Sequence, residues 1–213
     1  MKLYLSSQKL GNDTERLVSL CGENKNVAVI ANGLDNKPDD YRKDRVQTEI
    51  ENLRLLGFTA EELDLRDFFL NPNGLRNYLE GKSMVWIRGG SAFILNRAMI
   101  ESGFNTVGVE MIRDSKLVYA GYSAALIAAT TNLSGTEIVD DATVIPSGYS
   151  KATNPFIGLG LIDFYLIPHI DSKEKWAQKI PLCVKTLREG GATIVTLKDG
   201  EVFVKDSTGA RQE

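Results

Sequence analysis

An α/β fold, three layers deep with a mostly parallel sheet covered by helices on both faces, is predicted by three observations. Short apolar runs alternate with amphipathic stretches along most of the 213 residues. The runs are almost continuously apolar, as strands buried on both faces must be, and do not alternate with polar residues as a half-exposed sheet would. Several of them end in glycine or a small residue just before a helical pattern begins, which is how a strand hands the chain to a crossover helix.

The elements follow in order. Leu3-Tyr4-Leu5 reads as the first strand and Val27 to Ile30 as the second. Between Tyr41 and Leu56 the apolar residues Val46, Ile50 and Leu53 recur at helical spacing, and Gly57 supplies the stop. Glu61 to Leu65 is expected as a third strand, and Met84 to Ile87 as a fourth that runs into Gly89-Gly90. A helix begins near Ser91, another covers Val107 to Arg113, and Leu117 to Ala120 form a fifth strand that leads into a helix over Ser123 to Thr130. Phe164 to Ile167 is a further strand, followed by a helix from Lys173 to Arg188. Ala192 to Leu197 and Glu201 to Lys205 read as a hairpin joined at Asp199-Gly200. Asp206 to Glu213 is expected to be a frayed polar tail. No repeat or linker interrupts the chain, so residues 1–213 are read as a single domain. The segment from Ala142 to Gly158, with Pro146, Gly148 and Pro155, is expected to be a long loop running near the site and closing one end of it.

Composition narrows the function. Hydrophobic residues make up 43% and charged residues 25%, and the net charge is −3 with no basic run. Nucleic acid and anionic membrane surfaces, which need a clustered cationic face, are therefore not expected as partners. No apolar stretch is long enough to span a bilayer, and the first residues lack a signal-peptide pattern, so a cytoplasmic location is expected. Cys21 and Cys183 are too few and too far apart for a disulfide framework or a zinc site; no metal and no cofactor is expected. There is one histidine, His169. Any chemistry that needs an imidazole must use it.

Three strand ends carry chemistry. Gly121-Tyr122-Ser123-Ala124-Ala125 follows a strand and opens a helix, the setting of a nucleophile elbow, in which a tight turn presents the serine hydroxyl and small neighbours relieve crowding. Gly89-Gly90 sits in a second strand-to-helix turn, where backbone N–H groups approach a ligand closely. With the N–H of Ala124 they are expected to form an oxyanion hole. His169 ends the Phe164–Pro168 run, again at the carboxyl end of a strand, where ligands collect in open α/β sheets.

These segments resemble the dipeptidase E and cyanophycinase family of serine peptidases, whose fold is similar to that of class I glutamine amidotransferases. The resemblance runs from Leu3-Tyr4-Leu5-Ser6-Ser7 through Arg88-Gly89-Gly90-Ser91-Ala92-Phe93 and Gly121-Tyr122-Ser123-Ala124-Ala125 to Gly158–Phe164 and Pro168-His169. Ser91 stands where the family has asparagine, and Ala125 where it has glycine. The resemblance implies that Ser123 attacks a carbonyl, that His169 takes its proton, and that an acid between them in the chain orients the imidazole. Glu137, Asp140 and Asp141 qualify, and Asp140 is the choice. Arg88, Ser91 and Tyr122, which flank the two turns, are the expected substrate contacts. The implied activity is a serine-type exopeptidase or dipeptidase acting on short peptides, aspartyl dipeptides among them; a homodimer is left open. The alternative is a non-catalytic or differently specific small-molecule-binding member of the same fold. A glutamine amidotransferase is disfavoured because serine, not cysteine, occupies the elbow, and an α/β-hydrolase esterase would place its histidine later in a longer chain.

Overall fold

The computed structural model describes residues 1–213. In chain order the elements are β1 (Lys2–Ser6), α1 (Thr14–Leu20), β2 (Asn26–Ile30), α2 (Asp39–Leu55), β3 (Thr59–Glu62), α3 (Pro72–Leu79), β4 (Met84–Ile87), α4 (Ala92–Glu101), α5 (Phe104–Arg113), β5 (Val118–Tyr122), α6 (Ala124–Ala129), β6 (Tyr165–Ile167), α7 (Ile180–Glu189), β7 (Ile194–Thr196), β8 (Val202–Asp206) and β9 (Gly209–Gln212). Seven strands form one sheet in the order β3-β2-β4-β5-β1-β8-β9. β1 to β5 are mutually parallel, while β8 and β9 are antiparallel additions at one edge. The predicted α/β class and its mostly parallel sheet are what is found.

Alternation along each strand sends successive side chains to opposite faces. Leu3, Leu5, Ile30, Val85, Ile87 and Tyr119 face the larger core layer, which α3 to α7 complete with residues such as Leu75, Phe93, Phe104, Leu126 and Leu187. Tyr4, Val27, Val29, Trp86 and Ala120 face the other layer, covered by Leu17 and Leu20 of α1 and by Val46, Ile50 and Leu53 of α2. Parallel strands put their carboxyl ends on one edge. There β1 runs on into Ser7, β4 into Gly89-Gly90 and β5 into Ser123.

Four expectations are corrected. The hairpin does not form. β7 pairs in parallel with β6, at Tyr165↔Ile194 and Ile167↔Thr196, as a separate two-stranded sheet, whereas β8 pairs antiparallel with β1. The Asp199-Gly200 turn is real, with Glu201 N–H donating to the Lys198 carbonyl at 3.0 Å, but it passes the chain from one sheet to the other. The tail is not frayed along its length, because Gly209–Gln212 adds β9 to the edge of β8. The helix expected over Lys173–Arg188 is a 3-10 turn at Lys175–Lys179 followed by α7. Pro181, which has no N–H to donate, sits in the first turn of α7 where none is needed.

The fourth correction is the long loop. Residues 142–158 lie against α4, and none of them lines the cavity that Ser123 and His169 share. Arg97 Nη1 donates to Thr153 O at 2.7 Å, Asn96 Nδ2 donates to the carbonyls of Pro155 and Ile157 at 2.8 Å, and the Glu101 carboxylate accepts from Ser150 N–H and Thr153 Oγ1. The Tyr149 hydroxyl donates to Asp35 at 2.5 Å. Asp35 in turn belongs to a largely buried charge cluster. Arg42, 4% exposed, meets Asp35, Glu62 and Asp64, and Asp64 also accepts from Arg66 and Asn32.

Burial pushes the Asp64 carboxyl up, but the hydrogen bonds from Arg66 and Asn32 and the charge of Arg42 prevail and hold it at about 2. A depressed carboxylate contributes stability above its unfolded pKa and loses it as pH falls through the folded one. Asp64→Asn should therefore cost on the order of 2 kcal/mol at pH 7. Urea unfolding should show that gap closing between about pH 4 and pH 2. A gap that stays constant with pH would assign the loss to packing instead.

Candidate active site

Ser123 stands between β5 and α6 with φ 55° and ψ −101°, a backbone conformation rare for a residue with a side chain. Such strain costs about 1–3 kcal/mol and persists only where its surroundings enforce it. Here Ser123 N–H is held by the Ser6 carbonyl at 3.2 Å. A Cβ on Gly121 would come within 2.4 Å of the Ile87 carbonyl oxygen, so no larger residue fits the turn. That missing methyl leaves room for the Ala125 side chain, whose Cβ would lie 2.9 Å from one on Gly121. The alanine in place of the family's glycine is accommodated.

Gly89 packs directly on the elbow. A Cβ there would meet the Tyr122 ring at 2.8 Å and Ser123 Cβ at 3.0 Å. Neither Gly89 N–H nor Gly90 N–H has a backbone acceptor, and Gly90 is exposed. Ala124, first residue of α6, brings a first-turn N–H to the same place.

His169 follows Pro168 at the end of β6, with φ 62°, and is 5% exposed. Its N–H donates to Ser7 Oγ at 2.9 Å, and its Nδ1 lies 2.5 Å from Asp199 Oδ1. Ser7 Oγ also donates to Asp199 Oδ1 at 3.1 Å. Two backbone bonds extend the β6–β7 pairing to this point: Leu197 N–H donates to Ile167 O, and Ile170 N–H donates to Leu197 O. The parallel register thus sets histidine and acid side by side. A carboxylate can only accept, so Nδ1 carries a proton, and in the neutral imidazole it is Nε2 that offers the lone pair. The Trp176 ring stands edge-on to the imidazole at 4.9 Å.

The acid on His169 is therefore Asp199, not Asp140. Asp140 Oδ2 accepts from Ser91 Oγ at 2.9 Å and from Ala92 N–H at 2.6 Å, at the start of α4. Burial pushes its carboxyl up, against the lowering effect of the Ser91 bond and neighbouring N–H groups. Asp141 is exposed and bonds to Thr143, and Glu137 accepts from Gly135 N–H. Sequence reasoning missed Asp199 because a local Asp-Gly turn accounts for it fully. The available signal was its place at the end of an apolar run, as for the other three strand-end groups.

The expected substrate contacts are placed as follows. Ser91 Oγ is committed to Asp140 and to capping α4 through Ile94 N–H at 3.3 Å. The Tyr122 hydroxyl donates to buried Glu49 Oε1 at 2.7 Å, and burial followed by the Glu49 charge raises its pKa beyond the usual range. Trp86 Nε1 donates to the other Glu49 oxygen at 2.9 Å. Arg88 is half-buried, with Nη1 on the Gly89 carbonyl at 2.5 Å and Nε 3.9 Å from Glu49.

Ser123, His169, Gly89, Gly90, Ala124 and Asp140 all line one cavity of about 600 Å³. No residue of the 142–158 loop lines it. Its wall also includes Gln8-Lys9, Lys37 and Tyr41, and Trp176 and Cys183. Cys183 is buried, and desolvation pushes its thiol up to about 11, so it contributes an apolar surface rather than a nucleophile. No group of histidine, cysteine and acidic side chains is arranged to hold a metal ion, and no helix is long and apolar enough to cross a membrane.

A strained serine on a strand-to-helix turn, a glycine pair against it and a carboxylate-bound histidine on the same cavity define, as a class, an α/β protein with an elbow-like serine turn at the carboxyl edge of its sheet. The sequence matches the model of peptidase family S51 over residues 10–212, and the chain belongs to that family of serine peptidases. Its fold is similar to that of a candidate peptidase E from Listeria monocytogenes EGD-e, with a TM-score of 0.78 and 20% identity over 100% of this chain and 97% of that one. It is also similar to a peptidase from an acI-B1 Actinobacterium, with a TM-score of 0.67 and 15% identity over 100% of this chain and 86% of that one. No curated protein sequence matches it.

Proposed function

We propose that this chain is a serine exopeptidase that cleaves dipeptides, with Ser123 as nucleophile, His169 as general base and Asp199 as the acid that orients it. The observation that carries this reading is the 2.5 Å contact of His169 Nδ1 with Asp199, His169 lining the same cavity as Ser123. Ser123 Oγ attacks the scissile carbonyl carbon and its proton passes to His169 Nε2. The C–N bond then breaks and the leaving amine takes that proton. A water molecule, deprotonated by the same Nε2, hydrolyses the acyl-enzyme and regenerates Ser123. Asp199 stays ionised throughout and stabilises the imidazolium. The N–H groups of Gly90 and Ala124 face the developing oxyanion.

The cavity supports the short-substrate reading. At about 600 Å³ it is of small-ligand size. Lys9 and Lys37 line it, with Arg88 committed to the Gly89 carbonyl, against one carboxylate, Asp140, which is capped by two donors. That balance favours an anionic substrate side chain, and an aspartyl dipeptide fits it. Hydrolysis rates on Asp-Leu, Ala-Leu, N-acetyl-Asp-Leu and a denatured protein test the proposal. Asp-Leu should be cleaved at least 10-fold faster than Ala-Leu, since a charge-assisted contact contributes about 1.5–3 kcal/mol. Cleavage of the protein at the rate of Asp-Leu would exclude an exopeptidase, and equal cleavage of the blocked peptide would exclude recognition of a free N-terminal amine.

A further inference from the structure

We infer that Arg88 is a positioning residue for the oxyanion hole: its guanidinium holds the Gly89 carbonyl away from Ser123, and so aims Gly90 N–H at the reacting oxygen. The inference rests on the reading of Ser123 as nucleophile. It departs from the expectation that Arg88 contacts substrate.

The geometry starts from one peptide unit. The Gly89 carbonyl and Gly90 N–H belong to the same plane, and in a trans peptide they point in opposite directions. Arg88 Nη1 takes the carbonyl at 2.5 Å. Gly90 N–H must then point away from Arg88, and it has no acceptor within the protein, although Gly90 is exposed on the cavity wall. A Gly-Gly peptide is the unit least able to hold such an orientation unaided, because neither residue has a Cβ to restrict it. Rotation of that peptide would turn a carbonyl oxygen toward the place where negative charge develops. An external restraint is needed, and Arg88 is the group in contact.

Arg88 is itself restrained. Its backbone N–H donates to the Ile30 carbonyl at 2.9 Å, which fixes where the side chain leaves the sheet. Glu49, 6% exposed on α2, faces Arg88 Nε at 3.9 Å while its oxygens accept from Tyr122 and Trp86. Tyr122 precedes the nucleophile and Trp86 lies two residues before Arg88. One buried carboxylate therefore ties together the strand that carries Ser123, the strand that carries the glycine pair, and the guanidinium between them. Arg88 Nε has no hydrogen-bond partner of its own, so the side chain is held by charge and by its grip on the carbonyl.

The test uses an uncharged alkyl fluorophosphonate, which places an oxyanion in the hole but offers no peptide group or charge for Arg88 to grip. Labelling replaces fluoride at phosphorus with Ser123 Oγ. Loss of one oxyanion donor costs about 10²–10³-fold in rate, so Arg88→Met should slow labelling of Ser123 by that range. Arg88→Lys, which keeps a donor of similar reach, should recover part of the loss. On a cleaved dipeptide the same variants should lower kcat with little change in KM. Labelling of Arg88→Met at the wild-type rate overturns the inference alone, as does a loss confined to KM. If Arg88→Met does not fold, Arg88→Lys carries the test, with a rate below wild type and unchanged KM expected; wild-type labelling by that variant again overturns the inference. A wild-type chain that takes no label at Ser123 overturns the reading of the nucleophile, and this inference with it.

Discussion

Ser123→Ala is expected to abolish peptide hydrolysis, lowering kcat by about 10⁴-fold or more, while leaving the thermal midpoint within a few degrees of wild type. The substitution removes one hydroxyl from a half-buried turn and keeps the Cβ that packs against Gly89. The strained backbone at φ 55° is retained in both forms, so its cost cancels in the comparison. Residual hydrolysis in triad variants comes from binding and the oxyanion hole alone, which sets the floor of the measurement. Hydrolysis by Ser123→Ala at more than a tenth of the wild-type rate would remove serine chemistry from this cavity. The non-catalytic alternative predicts instead that wild type and variant are equally inactive and bind the same small molecules.

The second large effect separates two aspartates. Asp199→Asn should reduce kcat by about 10⁴-fold, because an amide facing Nδ1 favours the tautomer in which Nε2 carries the proton and cannot act as base. Its packing beside Ser7 and the Gly200 turn should survive, since the side chain keeps its size. Asp140→Asn should behave in the opposite way. It weakens the contacts with Ser91 Oγ and Ala92 N–H at the start of α4, a loss of about 1 kcal/mol in stability, and it should change kcat by less than about 10-fold. Steady-state kinetics and urea unfolding on both variants decide the matter. An inactive Asp140→Asn beside an active Asp199→Asn would return the acid to the position inferred from family resemblance.

The two aspartates also mark the boundary between what one dimension and three dimensions determine. Features that depend on neighbours in the chain were legible. The elbow is one: Gly121, Ser123 and Ala124 fall within one short stretch of chain, and the crowding that demands a glycine and produces the strained serine arises within a single strand-to-helix turn. The glycine pair after β4 is another. The parallel sheet was legible too, because burial on both faces imposes continuous apolar runs on Val27–Ile30, Met84–Ile87 and Val118–Ala120. His169 was singled out as the one imidazole of the chain, and the structure sets it against Asp199 on the cavity that Ser123 lines.

Contacts set by register between distant segments were not legible. Asp199 reaches His169 because β7 pairs in parallel with β6, whereas its local sequence favours an antiparallel hairpin. An Asp-Gly turn has the same geometry whether it returns a strand on itself or passes it to another sheet, and the choice is made by β1, which takes β8 as its partner. Asp140 has the right residue type and the right place in the chain, but Ser91 and the open N–H of Ala92 capture it first. The 142–158 loop follows the same rule. Its prolines and glycines announced a loop, but Arg97, Asn96, Glu101 and the buried Asp35 decided which face it covers. Local chain geometry determined which groups stand ready for chemistry. Tertiary pairing decided which of them meet, because a hydrogen bond between residues 169 and 199 depends on strand register that no single segment encodes.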